Sequence, residues 1–142
     1  MQTFLPYANL RKSVQCLDYR RLGKQRVEAF QMLNCITGKS QSRAWQNHPC
    51  TRMWRKYPEC LAYYKDLCIN EWDWRGYNNS MPFTDETWLS DSFRFPQSKM
   101  PAWLGDKRLH SSHRASLLHK DIEFYGQYNW REKPLLKYWW PE

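Results

Sequence analysis

Two side chains near the start of the chain have the types and the spacing for acid–base and nucleophilic chemistry. Lys24 and Glu28 stand four positions apart, and on a helix that spacing places them one turn apart on the same face. A carboxylate there can stabilise positive charge developing on a sugar carbon, and an unprotonated amine can attack that carbon and form an imine. The same spacing also fits an ordinary solvated ion pair, so it leaves a catalytic and a structural interpretation open.

The α-amine of Met1 is a second candidate nucleophile. An α-amine has an ordinary pKa of about 7.7 to 8.0 and a lysine side chain one of about 10.4, so an α-amine is more often unprotonated at neutral pH. Gln2 is too bulky to favour removal of the preceding methionine, so Met1 is expected to be retained. The predicted catalytic residues are therefore Glu28, Met1 and Lys24.

Several polar residues on the same predicted helix could hold phosphates. Arg20, Arg21 and Gln31 lie near Glu28 on its polar side, where they could contact a phosphate backbone. Arg26 falls inside the apolar stripe, where an unpaired guanidinium is costly, so it must find a carboxylate, a carbonyl or a phosphate. A buried structural pair is favoured over a DNA contact for Arg26.

Short polar clusters elsewhere add His48, in NHP, and His113 and Arg114, in SSHRAS. They could hold a phosphate or an extruded nucleotide, although a lone histidine is more often a core residue. A metal site of His110, His113 and His119 is disfavoured because no acidic or thiol partner is suitably spaced. No metal and no cofactor are predicted.

Composition points to a polyanionic partner. The chain has 22 lysines and arginines against 14 acidic residues, a formal charge of +8, and 17% aromatic residues. Basic patches bind nucleic-acid backbones and aromatic faces stack on unpaired bases, though aromatic residues equally serve a core or a protein interface. Nucleic acid is the first partner to expect.

The expected environment is the cytoplasm. The five cysteines show no CxxC spacing and are expected to be reduced, packed thiols. No apolar run of about 20 residues and no signal-like leader is present. A soluble protein without membrane association is predicted.

Helices are predicted to position the candidate residues. Asn9 can cap a short helix reaching residue 17, and Asp18 can cap a long helix ending near Gly38. A turn of about 100° per residue places Lys24, Glu28 and Gln31 opposite the core stripe of the long helix. That predicted stripe consists of Leu22, Ala29, Phe30, Leu33 and Ile36.

The rest of the chain is predicted to hold two further helices. After a polar loop at 38–42, residues 58–74 form a helix, and residues 78–105, rich in isolated prolines, form a long structured loop. Ser111 or Ser112 can cap a helix over 113–126, and an aromatic tail follows. With no repeat and only five glycines, residues 1–142 are predicted to form one all-α domain, a compact helical bundle.

Several blocks resemble one known family. LDYRRLGKQRVEAFQML at 17–33 resembles the first long helix of the pyrimidine-dimer DNA glycosylases, the phage endonuclease V family. Similar blocks, in the same order, are MQTFLPY, WQNHPCTRMW at 45–54, RGY at 75–77 and SHRASLLHKD at 112–121. The resemblance implies an all-helical monomer that binds double-stranded DNA across a basic face, with the family's catalytic glutamate falling on Glu28.

The resemblance also implies further DNA-binding residues. Lys120 lies in the block at 112–121, and the family's aromatic segment near the lesion corresponds to EFYGQYNW at 123–130. Tyr125, Tyr128 and Trp130 would then stack on the damaged step or wedge beside it.

Two departures from the family pattern stand out. The best-known branch uses the α-amine of a threonine exposed after methionine removal. This chain has Met1 followed by Gln2 at the corresponding positions. Other branches have an arginine just before the glutamate, whereas this chain has Val27. The phosphate contact is therefore expected to have moved to Arg26, Arg20 or Arg21.

The predicted activity is excision of a base, a pyrimidine dimer first of all, with strand cleavage at the resulting abasic site. One alternative is a glycosylase without lyase activity, in which Glu28 activates water. Two others are a non-catalytic nucleic-acid-binding protein and an adaptor that binds proteins through exposed tryptophans.

Overall fold

Helices provide the regular structure of the chain in the computed structural model, which describes residues 1–40 and 43–141. Gln41 and Ser42 of the predicted polar loop and Glu142 of the predicted tail lie outside the described residues. Within them there is no β-strand, so the predicted all-α class is confirmed. The helices are α1 Leu10–Gln15, α2 Tyr19–Ile36, α3 Pro49–Trp54, α4 Pro58–Trp74, α5 Lys107–Lys120 and α6 Ile122–Tyr125, with 3₁₀ turns at Glu86–Leu89, Gln97–Lys99 and Gly126–Tyr128.

The predicted starts of α1 and α2 are confirmed by their caps. The Asn9 side chain accepts a hydrogen bond from the Lys12 amide at 2.9 Å, and the Asp18 carboxylate accepts one from the Arg21 amide at 3.4 Å. Such caps satisfy amides that have no partner within the helix. Beyond α2, Gly38 adopts a φ of 79°, which turns the chain away as predicted.

The predicted start of α5 is wrong. The helix begins at Lys107 because Asp106 is its N-cap and accepts the Arg108 amide at 2.9 Å. Ser111 and Ser112 lie inside the helix, where Ser112 donates to the Leu109 carbonyl at 2.9 Å. The helix also ends at Lys120, and the residues that follow form the separate α6.

Helix α3 was not predicted. Pro49 occupies its first turn, and the His48 side chain caps it by accepting the Cys50 amide at 3.0 Å. Histidine is not among the usual N-cap residues, which is why the residues around NHP carry no clear helix signal.

The core stripe of α2 differs from the prediction. Leu22 and Ala29 are buried as expected, whereas Phe30, Leu33 and Ile36 are only half-buried. The residues that are buried instead are Gln25, Glu28, Met32 and Cys35. The helix is covered on two sides, because α4 packs against one side and the N-terminal segment, residues 1–6, lies on the other.

The N-terminal segment is held by side chains from three helices. Its Phe4 amide donates to the Gln25 amide oxygen at 2.8 Å, and its Leu5 amide donates to Nδ1 of His113 at 2.9 Å. The Tyr64 hydroxyl donates to the Phe4 carbonyl at 3.2 Å. Because buried backbone groups need partners, polar side chains of α2, α4 and α5 supply the bonds that a neighbouring strand would supply in a sheet.

The long loop after α4 is structured, as predicted. A buried charge pair holds it in place. Nζ of Lys65 lies 3.2 Å from the Asp66 carboxylate and donates to the Pro82 carbonyl at 3.0 Å and the Thr84 hydroxyl at 2.8 Å. The Asp66 carboxylate accepts the Thr84 and Asp85 amides, each at 2.9 Å. These bonds fasten the loop to α4.

The aromatic tail packs against α5. The Leu135 amide donates to the Ala115 carbonyl at 3.1 Å, the Ser116 hydroxyl donates to that of Tyr138 at 2.9 Å, and the Trp139 amide donates to the Ser112 hydroxyl at 3.1 Å. The tail is therefore fixed to the body of the fold. In the described part of the chain, no helix has the length and apolarity needed to cross a membrane.

His113 makes folding stability sensitive to acid. It is fully buried, and burial followed by repulsion from His110 lowers its pKa to about 3. An unfolded histidine has a pKa of about 6.5. Between about pH 3 and pH 6.5, therefore, this histidine binds a proton in the unfolded chain but not in the folded chain. We expect this residue to lower the free energy of unfolding by up to about 1.4 kcal/mol per pH unit as the pH falls from about 6.5 towards 3.

Urea unfolding measured across this pH range checks the prediction. His113→Asn, which can still accept the Leu5 amide, should flatten the pH dependence. His119→Gln is the control, since His119 is exposed. Equal pH slopes for the two variants would contradict the assignment to His113.

Candidate active site

A cleft of about 650 Å³ lies between the N-terminal segment, the first half of α2 and the end of α5. The structure brings together in this cleft all three predicted catalytic residues and three of the predicted DNA-binding residues. They are Met1, Lys24, Glu28, Arg20, Arg21 and Lys120.

Among the residues that the structure describes, Glu28 is one of three carboxylates that line the cleft, the others being Asp18 and Asp121. Its Oε2 accepts the Gln2 amide at 2.9 Å, and its Oε1 lies 3.7 Å from Nζ of Lys24. The Glu28 side chain is 11% exposed and that of Lys24 is 76% exposed. The two residues share one helix face as predicted, but the N-terminal segment covers Glu28, so the pair is not an ordinary solvated one.

The backbone of Met1 lies beside this carboxylate. The hydrogen bond from Gln2 to Glu28 fixes the residue that follows the α-amine, and consecutive Cα atoms are only about 3.8 Å apart. The Met1 side chain is anchored towards α3, where its sulfur accepts the Thr51 hydroxyl at 3.8 Å. Burial lowers the pKa of His48, and the charge of the α-amine lowers it further. An amine and a carboxylate therefore face the same cleft.

Two glutamines that sequence analysis did not nominate fix the backbone that follows Met1. Gln25 donates to the Gln2 carbonyl, and the Gln2 side chain accepts the Thr3 amide at 2.9 Å. Nε2 of Gln2 is buried and has no hydrogen-bond partner among the described residues. Both residues line the cleft, and Gln25 could have been suspected because it lies one turn before Glu28.

Cations form the rim of the cleft. Arg21 lies 3.2 Å from Asp18, while Arg20 and Lys120 are exposed. Burial, together with the charges of Arg21 and Lys24, lowers the pKa of Lys120. The cations collected around Lys120 offer phosphates a favourable site.

The structure does not bring Arg26, Gln31 or His48 to the wall of this cleft. Arg26 donates to the Asn79 amide oxygen at 2.6 Å and lies 4.7 Å from the centre of the Trp72 ring. This is the structural partnership favoured for it, although the partner is an amide rather than a carboxylate. Gln31 is exposed on a later turn of α2, and His48 caps α3.

His113 and Arg114 are held inside the fold. His113 has no exposed surface and accepts the Leu5 amide, while Arg114 donates to the Glu132 carboxylate at 2.8 Å and the Pro6 carbonyl at 2.7 Å. In this conformation the ring of His113 cannot reach DNA. Both residues fasten the ends of the chain to α5.

The aromatic residues of the segment 123–130 are also engaged in packing. Tyr125 is buried and its hydroxyl donates to the Asp18 carboxylate, Tyr128 donates to the Cys16 carbonyl at 3.0 Å, and Trp130 donates to the Tyr7 hydroxyl at 2.9 Å. The rings of Tyr125 and Trp130 stack at 5.7 Å. Their polar atoms are thus satisfied within the protein.

Other aromatic rings, which sequence analysis missed, line the cleft. They are Phe4, Tyr19, Phe124 and Tyr138. Tyr19 is 51% exposed, and its ring lies 6.2 Å from that of Tyr77, in the RGY block.

Residues 1–85 match the pyrimidine dimer DNA glycosylase family, a match that covers more than half of the chain. The chain belongs to the pyrimidine dimer DNA glycosylase family. No curated protein and no solved structure matched it. The resemblance found in the sequence is confirmed, and DNA is the substrate that membership of this glycosylase family implies. The matched range includes Met1, Lys24 and Glu28, whereas Lys120 and Tyr138 line the cleft from outside it.

Proposed function

We propose that this pyrimidine dimer DNA glycosylase attacks C1′ of the damaged nucleotide with the α-amine of Met1 and then cleaves the strand as a lyase. The observation that supports this most strongly is the 2.9 Å hydrogen bond from the Gln2 amide to Glu28. It places the residue that follows the α-amine against the Glu28 carboxylate, in a cleft rimmed by Arg20, Arg21 and Lys120. An amine and a carboxylate are the two groups that such a reaction needs.

The first step replaces the base with the amine. The unprotonated nitrogen forms a bond to C1′, and the bond from C1′ to the base breaks, with the base taking the electron pair. The nitrogen then loses a proton, the bond from C1′ to the ring oxygen opens, and that oxygen gains a proton, which leaves a protonated imine. The negative charge of Glu28 stabilises the positive charge that develops at C1′.

The second step cleaves the strand. Glu28 takes a proton from C2′, a double bond forms between C2′ and C3′, and the 3′ oxygen leaves with its phosphate. Water then hydrolyses the imine and restores the amine of Met1. A carboxylate with one oxygen held by a backbone amide and the other near Lys24 is oriented for this transfer.

Binding requires contacts on both sides of the reacting sugar. We assign Arg20, Arg21 and Lys120 to phosphates of double-stranded DNA, since they stand at the rim of the cleft. The rings of Tyr19, Phe124 and Tyr138 offer faces for a nucleotide extruded from the duplex. One copy of the chain supplies all of these residues, so we assign the activity to the monomer.

Ultraviolet-irradiated plasmid, incubated with and without borohydride, tests the proposal. We expect nicking of irradiated but not of untreated plasmid, and a covalent protein–DNA adduct when borohydride reduces the imine. Irradiated plasmid whose dimers have been reversed by photolyase is the matched control. Irradiated plasmid that stays intact even after alkali, which cleaves abasic sites, would refute the proposed function, whereas alkali-dependent nicking without any adduct would refute the amine and favour water activated by Glu28.

A further inference from the structure

A second groove, of about 1140 Å³, lies beside the cleft. The C-terminal tail forms part of both walls, since Tyr138 lines the cleft while Trp139 and Trp140 line the groove. We call it the basic groove, and its defining residues are Arg52, Arg55, Lys56, Arg108, Trp139 and Trp140. None of them is used in the mechanism above.

The charge of the basic groove is of one sign. Its described lining residues include four cations and no acidic residue. Arg55 is tied to the Gln46 carbonyl and Arg108 is paired with Asp106 at 2.8 Å. Arg52 and Lys56 are exposed and form no ion pair with any described residue. Positive charge collected in a concave surface attracts a polyanion.

Aromatic rings stand among these cations. The Arg108 guanidinium lies 4.4 Å from the centre of the Trp139 ring, and Trp140 packs edge-on against His48 at 6.2 Å. Both indoles are half-buried, so they are held in place and keep part of their surface free. Base faces within a duplex are already stacked, whereas unpaired bases gain from stacking on aromatic side chains.

We propose that the basic groove binds unpaired nucleotides of a DNA strand, with phosphates on Arg52 and Lys56 and bases against Trp139 and Trp140. Tyr138 of the cleft and Trp139 of the groove are consecutive residues of the tail, so a strand opened at the cleft has only the tail to cross to enter the groove. This inference rests on DNA as the substrate and does not depend on which group attacks C1′.

Fluorescence anisotropy with a labelled oligodeoxythymidine of about twelve nucleotides tests the groove directly. The double variant Arg52→Glu with Lys56→Glu should weaken binding of the full chain about tenfold or more. Loss of two phosphate contacts should also reduce the slope of log K against log salt by about 1.4. Trp139→Ala should weaken binding of the unpaired strand more than that of an undamaged duplex.

Two controls distinguish binding in the groove from a general effect of charge and from binding in the cleft. Lys39→Glu with Lys133→Glu makes the same change in net charge at exposed positions outside the groove and the cleft, and should have a much smaller effect. Arg20→Glu with Lys120→Glu makes the same change in net charge at the rim of the cleft and should also weaken binding of the unpaired strand less than the groove pair does. Equal weakening by the groove pair and by either of the other two pairs would overturn the proposal. Displacement of the oligonucleotide by polyglutamate at the same concentration as by unlabelled oligodeoxythymidine would overturn it as well, because charge alone would then account for binding.

Discussion

Glu28→Gln is expected to lower the rate of dimer excision by about 100- to 1000-fold, since removal of a group that stabilises charge in the transition state costs about that much. Glutamine keeps an oxygen that can accept the Gln2 amide, so the N-terminal segment should stay in place. Affinity for DNA should be equal or tighter, because one negative charge leaves the cleft. Single-turnover excision and anisotropy with the same dimer-containing duplex measure the two effects separately.

Glu71→Gln is the matched control for this variant. Glu71 also pairs with a cation four positions along its helix, at 2.7 Å from Nε of Arg75, and its side chain is 13% exposed. It does not line the cleft. This variant should retain excision, and comparable losses in the two variants would indicate that Glu28 acts through stability alone.

Extension of the chain by one alanine before Met1 is expected to abolish the borohydride adduct and to lower excision by about 100-fold or more. The added residue moves the α-amine by up to about 3.8 Å, and a misplacement of about 1 Å already costs about 100-fold. Gel analysis of the reduced complex gives the yield of adduct. Intact-mass spectrometry verifies that the extension is present.

Lys24→Gln distinguishes the two amines. Lys24 is exposed and lies 3.7 Å from Glu28, so its loss should weaken phosphate binding modestly while leaving the adduct intact. An adduct that survives the alanine extension but disappears in Lys24→Gln would assign the attack to the lysine. Peptide mapping of the trapped product identifies the linked residue in either case.

The parts of the fold that were predicted correctly depend on local chemistry. Asn9 and Asp18 cap their helices by contacts three residues away, so their signals lie within a few positions of sequence. The predicted N-cap of α5 is wrong because several residues suited to capping lie close together. The helix begins after Asp106 and not after Ser111 or Ser112. Helix α3 was not predicted because its N-cap is a histidine, His48.

The candidate site was predictable only in part for the same reason. The spacing of Lys24 and Glu28 is local, and the structure places them together as expected. The burial of Glu28 depends on a chain segment that is distant in sequence, and so does the role of His113, whose partner Leu5 is separated from it by 108 positions. Helical periodicity carries no information about such contacts. Periodicity therefore could not identify Gln25 and His113 as buried residues that bind the N-terminal segment.

The way the N-terminal segment is held also bears on protein synthesis. Residues 2–5 are made first, yet their partners include Gln25, Tyr64, His110 and His113. A growing chain cannot form all of these hydrogen bonds until α5 has left the ribosome. The cleft is consequently assembled only after α5 and the tail have been made, so shorter nascent chains lack the wall that Lys120 and Tyr138 supply.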